Sequence, residues 1–360
     1  MAKSTAFPNL STAYLYVLAG IHPPTDYGIA RFGYLAGWKT NMSKITSNDL
    51  ITIIGGSGFL GHQVVRQLAK TGARLRIAMR HPNEAMALRS MGSVGQIQIA
   101  QANIRDLPSL ENAIQGARYV VNLAGTDTGK GKQTFQSTHE AGAENVAQTC
   151  AQLGVSRLVH LSALGADIRS TSAFSRTKML GERAVSEAFE DVTILRPAGM
   201  FGPEGEFFGQ IAILAKALMV MPLVGGSTKV QPVYVDDVAA AVCAALTNDE
   251  TIGQTYELGG PRVWSVQEVH EFVLDATHRT RLLAPVPFGL AKFASLFLQM
   301  LPGHIMRPDQ VNRLREDSIV ADDALTLNDL GITATPAEAI MTNFLMRYRK
   351  TGAYERDDAS

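Results

Sequence analysis

Three glycines, Gly55, Gly58 and Gly61, stand at G-x-x-G-x-x-G spacing directly after the apolar run Ile51-Thr52-Ile53-Ile54 and before Val64, Val65 and Leu68. The run is short and β-branched, while the later apolar positions recur at helical spacing, so the stretch reads as strand, tight turn and helix. The chemistry such a turn offers is anion binding. The first glycine permits the turn, the middle one lets a pyrophosphate approach backbone, and the last lets helix and strand pack closely. Ser57, Phe59 and Leu60 complete the loop, whose N–H groups and helix dipole would hold phosphates. A glycine turn can also be purely structural; the βαβ units that follow favour a dinucleotide site.

Other candidate contacts fall at strand ends. Arg74 to Met79 reads as a second strand ending in Arg80-His81-Pro82. An acidic side chain at that place suits a ribose 2′-OH, whereas an arginine suits a 2′-phosphate. Arg80 therefore favours NADP(H) over NAD(H), with a solvated surface arginine as the plainer alternative. Strands over Gln96–Gln101 and Arg118–Leu123 place Asn103 and Ile104 near an adenine, and Leu123, Ala124 and Gly125 near the middle of the cofactor.

The elements that must position these residues alternate strand and helix. Helices are expected at Leu107–Gln115, Phe135–Leu153 and Ser172–Phe189, with strands at Arg157–Ser162 and Val192–Leu195 between and after them. This predicts an α/β fold, a Rossmann-type doubly wound parallel sheet over 49–203, with a smaller C-terminal α/β subdomain over 204–350. In that later part the pattern gives helices at Phe207–Met219, Asp237–Leu246, Val266–Ala276 and Phe288–Leu301, and strands at Val230–Tyr234 and Thr255–Leu258. Residues 1–48 read as an extension ahead of the fold and 351–360 as a tail. His139 reads as a helix-surface or packed histidine rather than an acid or base, and Asp236-Asp237 as the cap of the next helix rather than a polar latch.

Composition narrows the class. At 360 residues with 33 basic and 33 acidic side chains, the chain has no net field to attract nucleic acid. Cys150 and Cys243, each in an apolar helical pattern, fit neither a metal site nor a disulfide framework, so buried thiols in a reducing compartment are expected.

Taken together, Gly55/Gly58/Gly61, Asn122-Leu123-Ala124-Gly125, Gly142-Ala143-Glu144-Asn145-Val146, Ser162, Lys178, Leu195-Arg196-Pro197 with Gly202-Pro203, and Tyr234-Val235-Asp236-Asp237-Val238 resemble the extended and atypical short-chain dehydrogenase/reductase superfamily. The likeness runs from about Ile51 to Gly260. Within it the chain is most similar to the nucleotide-binding accessory subunits of respiratory complex I (NADH:ubiquinone oxidoreductase) and their bacterial relatives. That likeness rests on Ala87 to Gln96, Leu161 to Asp167, Gln231 to Val235 and Tyr256 to Pro261.

The resemblance implies a tyrosine and a lysine four residues apart, the phenol transferring a proton while the ammonium lowers its pKa and holds the nicotinamide ribose. Here the pair is Phe174 and Lys178, and none of the nine tyrosines has a lysine four positions downstream. Ser175 is adjacent but lies about 100° around the helix. Ser162 sits early in the motif that carries the family's second hydroxyl. The expectation is therefore a retained cofactor, with Lys178 as ribose ligand or plain surface lysine and Pro197 near the carboxamide, and a lost proton donor. No residue is assigned a catalytic role, and no metal is expected.

The segment 285–302 carries Phe288, Leu290, Phe293, Leu296, Phe297 and Leu301 with one lysine, so its helix is buried in the core, against another subunit, or on a membrane surface. Arg307, Arg313 and Arg315 beyond it suit anionic headgroups or an acidic partner. The resemblance implies subunits of a membrane respiratory complex as partners and a cytoplasmic protein, peripheral on the cytoplasmic or matrix side of an energy-transducing membrane. An active NADP-dependent reductase, epimerase or dehydratase, and a redox-sensing module, are the rival readings.

Overall fold

The structure is a computed structural model that describes residues 45–129, 131–298 and 307–350. Most of the expected N-terminal extension, the tail 351–360 and the end of the apolar segment 285–302 lie outside the described residues. Seven parallel strands form the main sheet in the order β3-β2-β1-β4-β5-β6-β11. They are β1 (Leu50–Ile54), β2 (Arg74–Met79), β3 (Ile97–Gln101), β4 (Tyr119–Asn122), β5 (Arg157–Leu161), β6 (Thr193–Pro197) and, much later in the chain, β11 (Thr255–Leu258). Every residue of β1, β4 and β5 is buried, which explains why these strands read as continuous apolar runs rather than alternating ones.

Helices α1 (Phe59–Ala69), α2 (Leu107–Ile114), α3 (Ala141–Gln152) and α4 (Ala173–Ala188) connect the strands. Leu110, Ile114, Val146 and Val185 from α2, α3 and α4 share one core with Leu50, Ile54 and Leu158 of the sheet. α1 packs against α6 (Val235–Thr247), which also lies on β5 and β6. Each fully buried leucine or isoleucine in such a core contributes roughly 1.5–3 kcal/mol. The strand order reverses between β2-β1 and β1-β4, and ligands of sheets of this kind bind outside the carboxyl ends of the strands at that crevice.

A second core lies beyond β6. Phe201 of β7 (Met200–Phe201) and Phe208 of α5 (Glu206–Ala217) meet Trp264 of β12 (Trp264–Ser265), Val273 of α7 (Val266–Ala276), and Met341 and Phe344 of α10 (Ala337–Leu345). Three small strand pairs frame it: β7 with β10 (Val233–Tyr234), β9 (Lys229–Val230) with β12, and β8 (Val220–Val224) with β13 (Leu282–Val286). α8 (Phe288–Leu298) and α9 (Pro308–Arg313) follow β13.

The structure departs from the sequence pattern in several places. The expected strand 230–234 splits at Gln231 and Pro232 into β9 and β10, which pair with different partners. The expected helix 135–153 opens with a wide π-helical turn, Gln136–Glu140, before α3. Asp236 and Asp237 are not caps: the N-cap of α6 is Tyr234, Asp236 pairs with Arg66 at 2.9 Å, and Asp237 accepts the Thr335 N–H at 2.7 Å. The three arginines beside the apolar helix also make contacts within the protein. Arg307 donates to the Asp127 carbonyl, Arg313 lies over Phe174, and Arg315 lies over Phe288.

Candidate functional site

At the crevice the glycine loop adopts the geometry its spacing requires. Gly55 has φ of +81°, a region only glycine enters without strain. A Cβ on Gly61 would stand 2.5 Å from the Gly56 backbone, so only glycine lets α1 reach the turn. Gly58 lines the cleft, and a Cβ there would meet protein only at the Gly55 carbonyl, 3.5 Å away. Gly58 is also the N-cap of α1 and offers no side-chain cap, and no acidic residue occupies the first turn. The first-turn N–H groups therefore lack side-chain acceptors and face a positive helix end, which fits a pyrophosphate.

The cleft has a volume of about 1130 Å³ and is lined by Gly55, Gly58, Phe59, Leu60 and Gly61, by Leu123 and Gly125, and by Ser162, Phe174, Ser175, Lys178 and Pro197. Ser57 is exposed on the loop, Ala124 is half-buried with its N–H on the Asn122 Oδ1, and neither lines it.

α4 delivers its residues from a firmly held start. Ser172 Oγ accepts the Ser175 N–H and donates to Asp309 of α9, whose other oxygen accepts the Ala173 N–H at 2.7 Å. One turn on, Lys178 is buried and Nζ donates to the Leu161 carbonyl at 3.0 Å. Burial pushes its pKa down to about 8, against the upward pull of Asp127 and Glu182. Gly125 leaves room beside it, since a Cβ there would lie 3.7 Å from Nζ.

His139 is buried in the same wall. Its Nε2 accepts the Thr126 N–H at 3.1 Å. That bond puts the ring proton on Nδ1, which donates to Thr177 Oγ1 at 3.0 Å. Burial, with the Lys178 charge second, drives its pKa down to about 3, so it is a neutral packing and hydrogen-bonding residue at ordinary pH. His160, buried on β5 beside Asn122, is driven to about 3 by the same two causes.

Phe174 packs edge-on to His139, with ring centroids 5.1 Å apart, and to Phe135 at 6.0 Å. Its own face carries the Arg313 guanidinium at 4.5 Å. A phenyl ring holds no transferable proton. Ser162 Oγ is buried at the cleft without a hydrogen-bond partner.

A second cavity of about 580 Å³ is lined by Arg80, His81, Asn103, Arg105, Ser109 and Asn112, with Asp106 also at its edge. Arg80, at the end of β2, is exposed. Ile104 does not line it: the side chain is buried in the core and its carbonyl accepts from Asn145 Nδ2 at 2.9 Å.

The family model of the NAD dependent epimerase/dehydratase family matches residues 51–259. The chain belongs to that family. Within the family's wider surroundings, it is 34% identical over 333 residues to the protein named NADH dehydrogenase [ubiquinone] 1 alpha subcomplex subunit 9, mitochondrial, of Arabidopsis thaliana, covering 89% of this chain and 83% of that protein. It is 31% identical over 310 residues to the NADH-ubiquinone oxidoreductase 40 kDa subunit, mitochondrial, of Neurospora crassa, covering 86% and 82%. The fold matches that of the NADPH-dependent quinone oxidoreductase of Escherichia coli complexed with NADPH, with a TM-score of 0.67 and 21% identity over 81% of this chain and 98% of that one. The fold of this epimerase/dehydratase-family chain is thus an NAD(P)-binding one, and the resemblance to complex I accessory subunits holds over most of its length.

The partners of several site residues carry no local sequence signal. Arg196 bridges Glu182 at 2.6 Å and Glu257 at 3.2 Å, clamping α4, β6 and β11 together beneath the cleft. Arg313 lines the cleft, and Asp309 holds the start of α4, both from more than a hundred residues beyond that helix. A helical pattern reveals that α9 exists, not which helix it meets. Among the described residues, no group of three or more His, Cys, Asp or Glu could hold a metal, and no helix is long and apolar enough to cross a membrane.

Proposed function

We propose that this protein holds NADP(H) in the cleft and serves a structural or assembly role in a membrane respiratory complex, turning over no hydride. The observation that carries the reading is Phe174 beside a retained Lys178: the wall that would orient a nicotinamide ribose is intact, and the side chain that would donate a proton is a phenyl ring. A bound nicotinamide would supply or accept hydride. The residues of this chain would grip its phosphates at Gly58–Gly61, its ribose at Lys178 and its carboxamide near Pro197. Arg80 and Arg105, at a strand end with no carboxylate on β2, support a 2′-phosphate over a bare ribose.

Relatives named as complex I subunits support the assembly role, and their mitochondrial names support a place at the matrix side of an energy-transducing membrane or its cytoplasmic equivalent. The apolar segment 285–302 would face that partner or membrane; Leu290, on α8, is exposed. A reductase using another acid is the second reading, and the unpartnered Ser162 hydroxyl is what favours it.

The reading is tested by affinity capture of the tagged protein from solubilised membranes, followed by nucleotide extraction and mass spectrometry. NADP(H) is expected in the extract together with respiratory-complex subunits. Capture of a nucleotide-free protein with no membrane-complex subunits contradicts it.

A further inference from the structure

We propose that the inner part of the cleft binds a long-chain amphiphile with an anionic head, its chain in the chamber behind Phe174 and its head at Arg313. The inference rests on the reading above, in which the cofactor occupies the glycine end and leaves the inner end free.

Three observations carry it. Past Ser162 and Phe174 the cleft continues into a chamber walled by Ile211, Leu214, Leu218, Pro222, Val269 and Ala294, from α5, β8, α7 and α8. These six side chains are hydrocarbon, with Gln210 and His270 lining the cleft between them, and such apolar walls stabilise an apolar chain. The second observation is the cation at the chamber's entrance. Arg313 lines the cleft with its guanidinium on the Phe174 ring, and no carboxylate lies within ion-pairing distance of it among the described residues. The nearby acids are engaged elsewhere, Glu316 with Ser170 Oγ and Asp317 with the Lys229 N–H. A half-buried guanidinium with an aromatic face below it and free N–H groups is a seat for a carboxylate or phosphate.

The third observation is a route in. Leu218 both lines the chamber and is 38% exposed, and it adjoins an apolar surface formed by Met219 (74% exposed), Val220 and Leu282 (67%), the last two paired across β8 and β13. A chain leaving this chamber meets hydrocarbon rather than bare water. The anionic head can come from a free fatty acid or from a membrane phospholipid, and the chemistry at Arg313 is the same.

The test is displacement of the fluorescent fatty acid cis-parinaric acid from the full-length protein. Competitors are palmitate, lysophosphatidic acid, 1-hexadecanol, and vesicles of phosphatidylcholine with or without phosphatidic acid. NADPH retention is measured in the same samples. Palmitate and lysophosphatidic acid are expected to displace the probe at least tenfold better than the alcohol. R313Q should bring them to the level of the alcohol. L214W and, as a milder filler, A294F should weaken all three ligands at least tenfold while NADPH is retained within twofold. Displacement by phosphatidic acid vesicles at phospholipid concentrations similar to free palmitate identifies the bilayer as the source. Displacement by the soluble acid alone identifies free fatty acid. Equal binding of acid and alcohol, or no effect of either chamber-filling variant, overturns the proposal. Absence of amphiphile binding to the unmodified protein with NADPH still held refutes this inference alone, whereas absence of NADPH from the unmodified protein refutes the cofactor reading.

Discussion

The two ends of the cleft are built by opposite means. At the glycine end, backbone does the work: a positive-φ glycine, a helix start without a side-chain cap, and a glycine whose absent side chain lets α1 touch the turn. At the inner end, apolar side chains from α5, β8, α7 and α8 converge, and Arg313, which makes no ion pair among the described residues, arrives from α9. Backbone recognition compresses into seven consecutive residues, so it survives as a readable motif. A chamber of side chains is spread over a hundred residues and leaves no such trace.

This contrast can be broken at several points. The largest expected effect is acid sensitivity at the wall that holds Lys178, where His139 and His160 are buried and neutral. Their folded pKa of about 3 lies below the ordinary 6.5, so below pH 6.5 the unfolded chain takes up protons that the folded chain refuses. The histidine contribution to stability should be flat above about pH 7 and fall as pH drops from 6.5 towards 3, by at most roughly 5 kcal/mol per histidine at about 1.4 kcal/mol per unit. Urea titrations at pH 7.5 and 4.5 check it, with hydrogen exchange expected to rise first around α3, β4 and β5. Equal stability at both values would remove the contrast.

Next in size is Gly61→Ala. The added Cβ must displace the Gly56 backbone, which costs about 2–3 kcal/mol. NADPH affinity should fall over a hundredfold while parinarate binding at the inner end stays within a few-fold. Calorimetric titration of both ligands checks it. Smallest is Arg80→Ala. Losing one charge-assisted contact at an exposed site should weaken NADPH by about tenfold and leave NADH unchanged, so that the ratio of the two affinities reports the 2′-phosphate contact alone.

The same contrast explains what the sequence revealed. β1 was legible to within a residue and the turn and helix after it as an order of elements, because period and glycine spacing point to one answer. α4 was equally plain, since Ser172 caps it and Phe174, Lys178 and Glu182 fall on one face. β8 and β13 were missed for a physical reason: each contains a proline, Pro222 and Pro285, and such strands survive only because each has a single partner and lies outside the main sheet. Asp236 and Asp237 look like caps from local sequence, yet their partners Arg66 and Thr335 are about a hundred residues or more away. His139 was read as a helix-surface or packed histidine, and it is packed. Its bonds to Thr126 and Thr177 depend on a π-helical turn that no period reveals.

The central claim is a cofactor held without a proton donor at Phe174, and one measurement addresses it most directly. The purified, unmodified protein is assayed for bound nucleotide and then for NADPH oxidation against a broad carbonyl and nucleotide-sugar panel, alongside Phe174→Tyr. The account predicts tightly held NADP(H), no oxidation above the uncatalysed rate in the unmodified protein, and any latent activity only in the tyrosine variant. Steady turnover by the unmodified protein would contradict it.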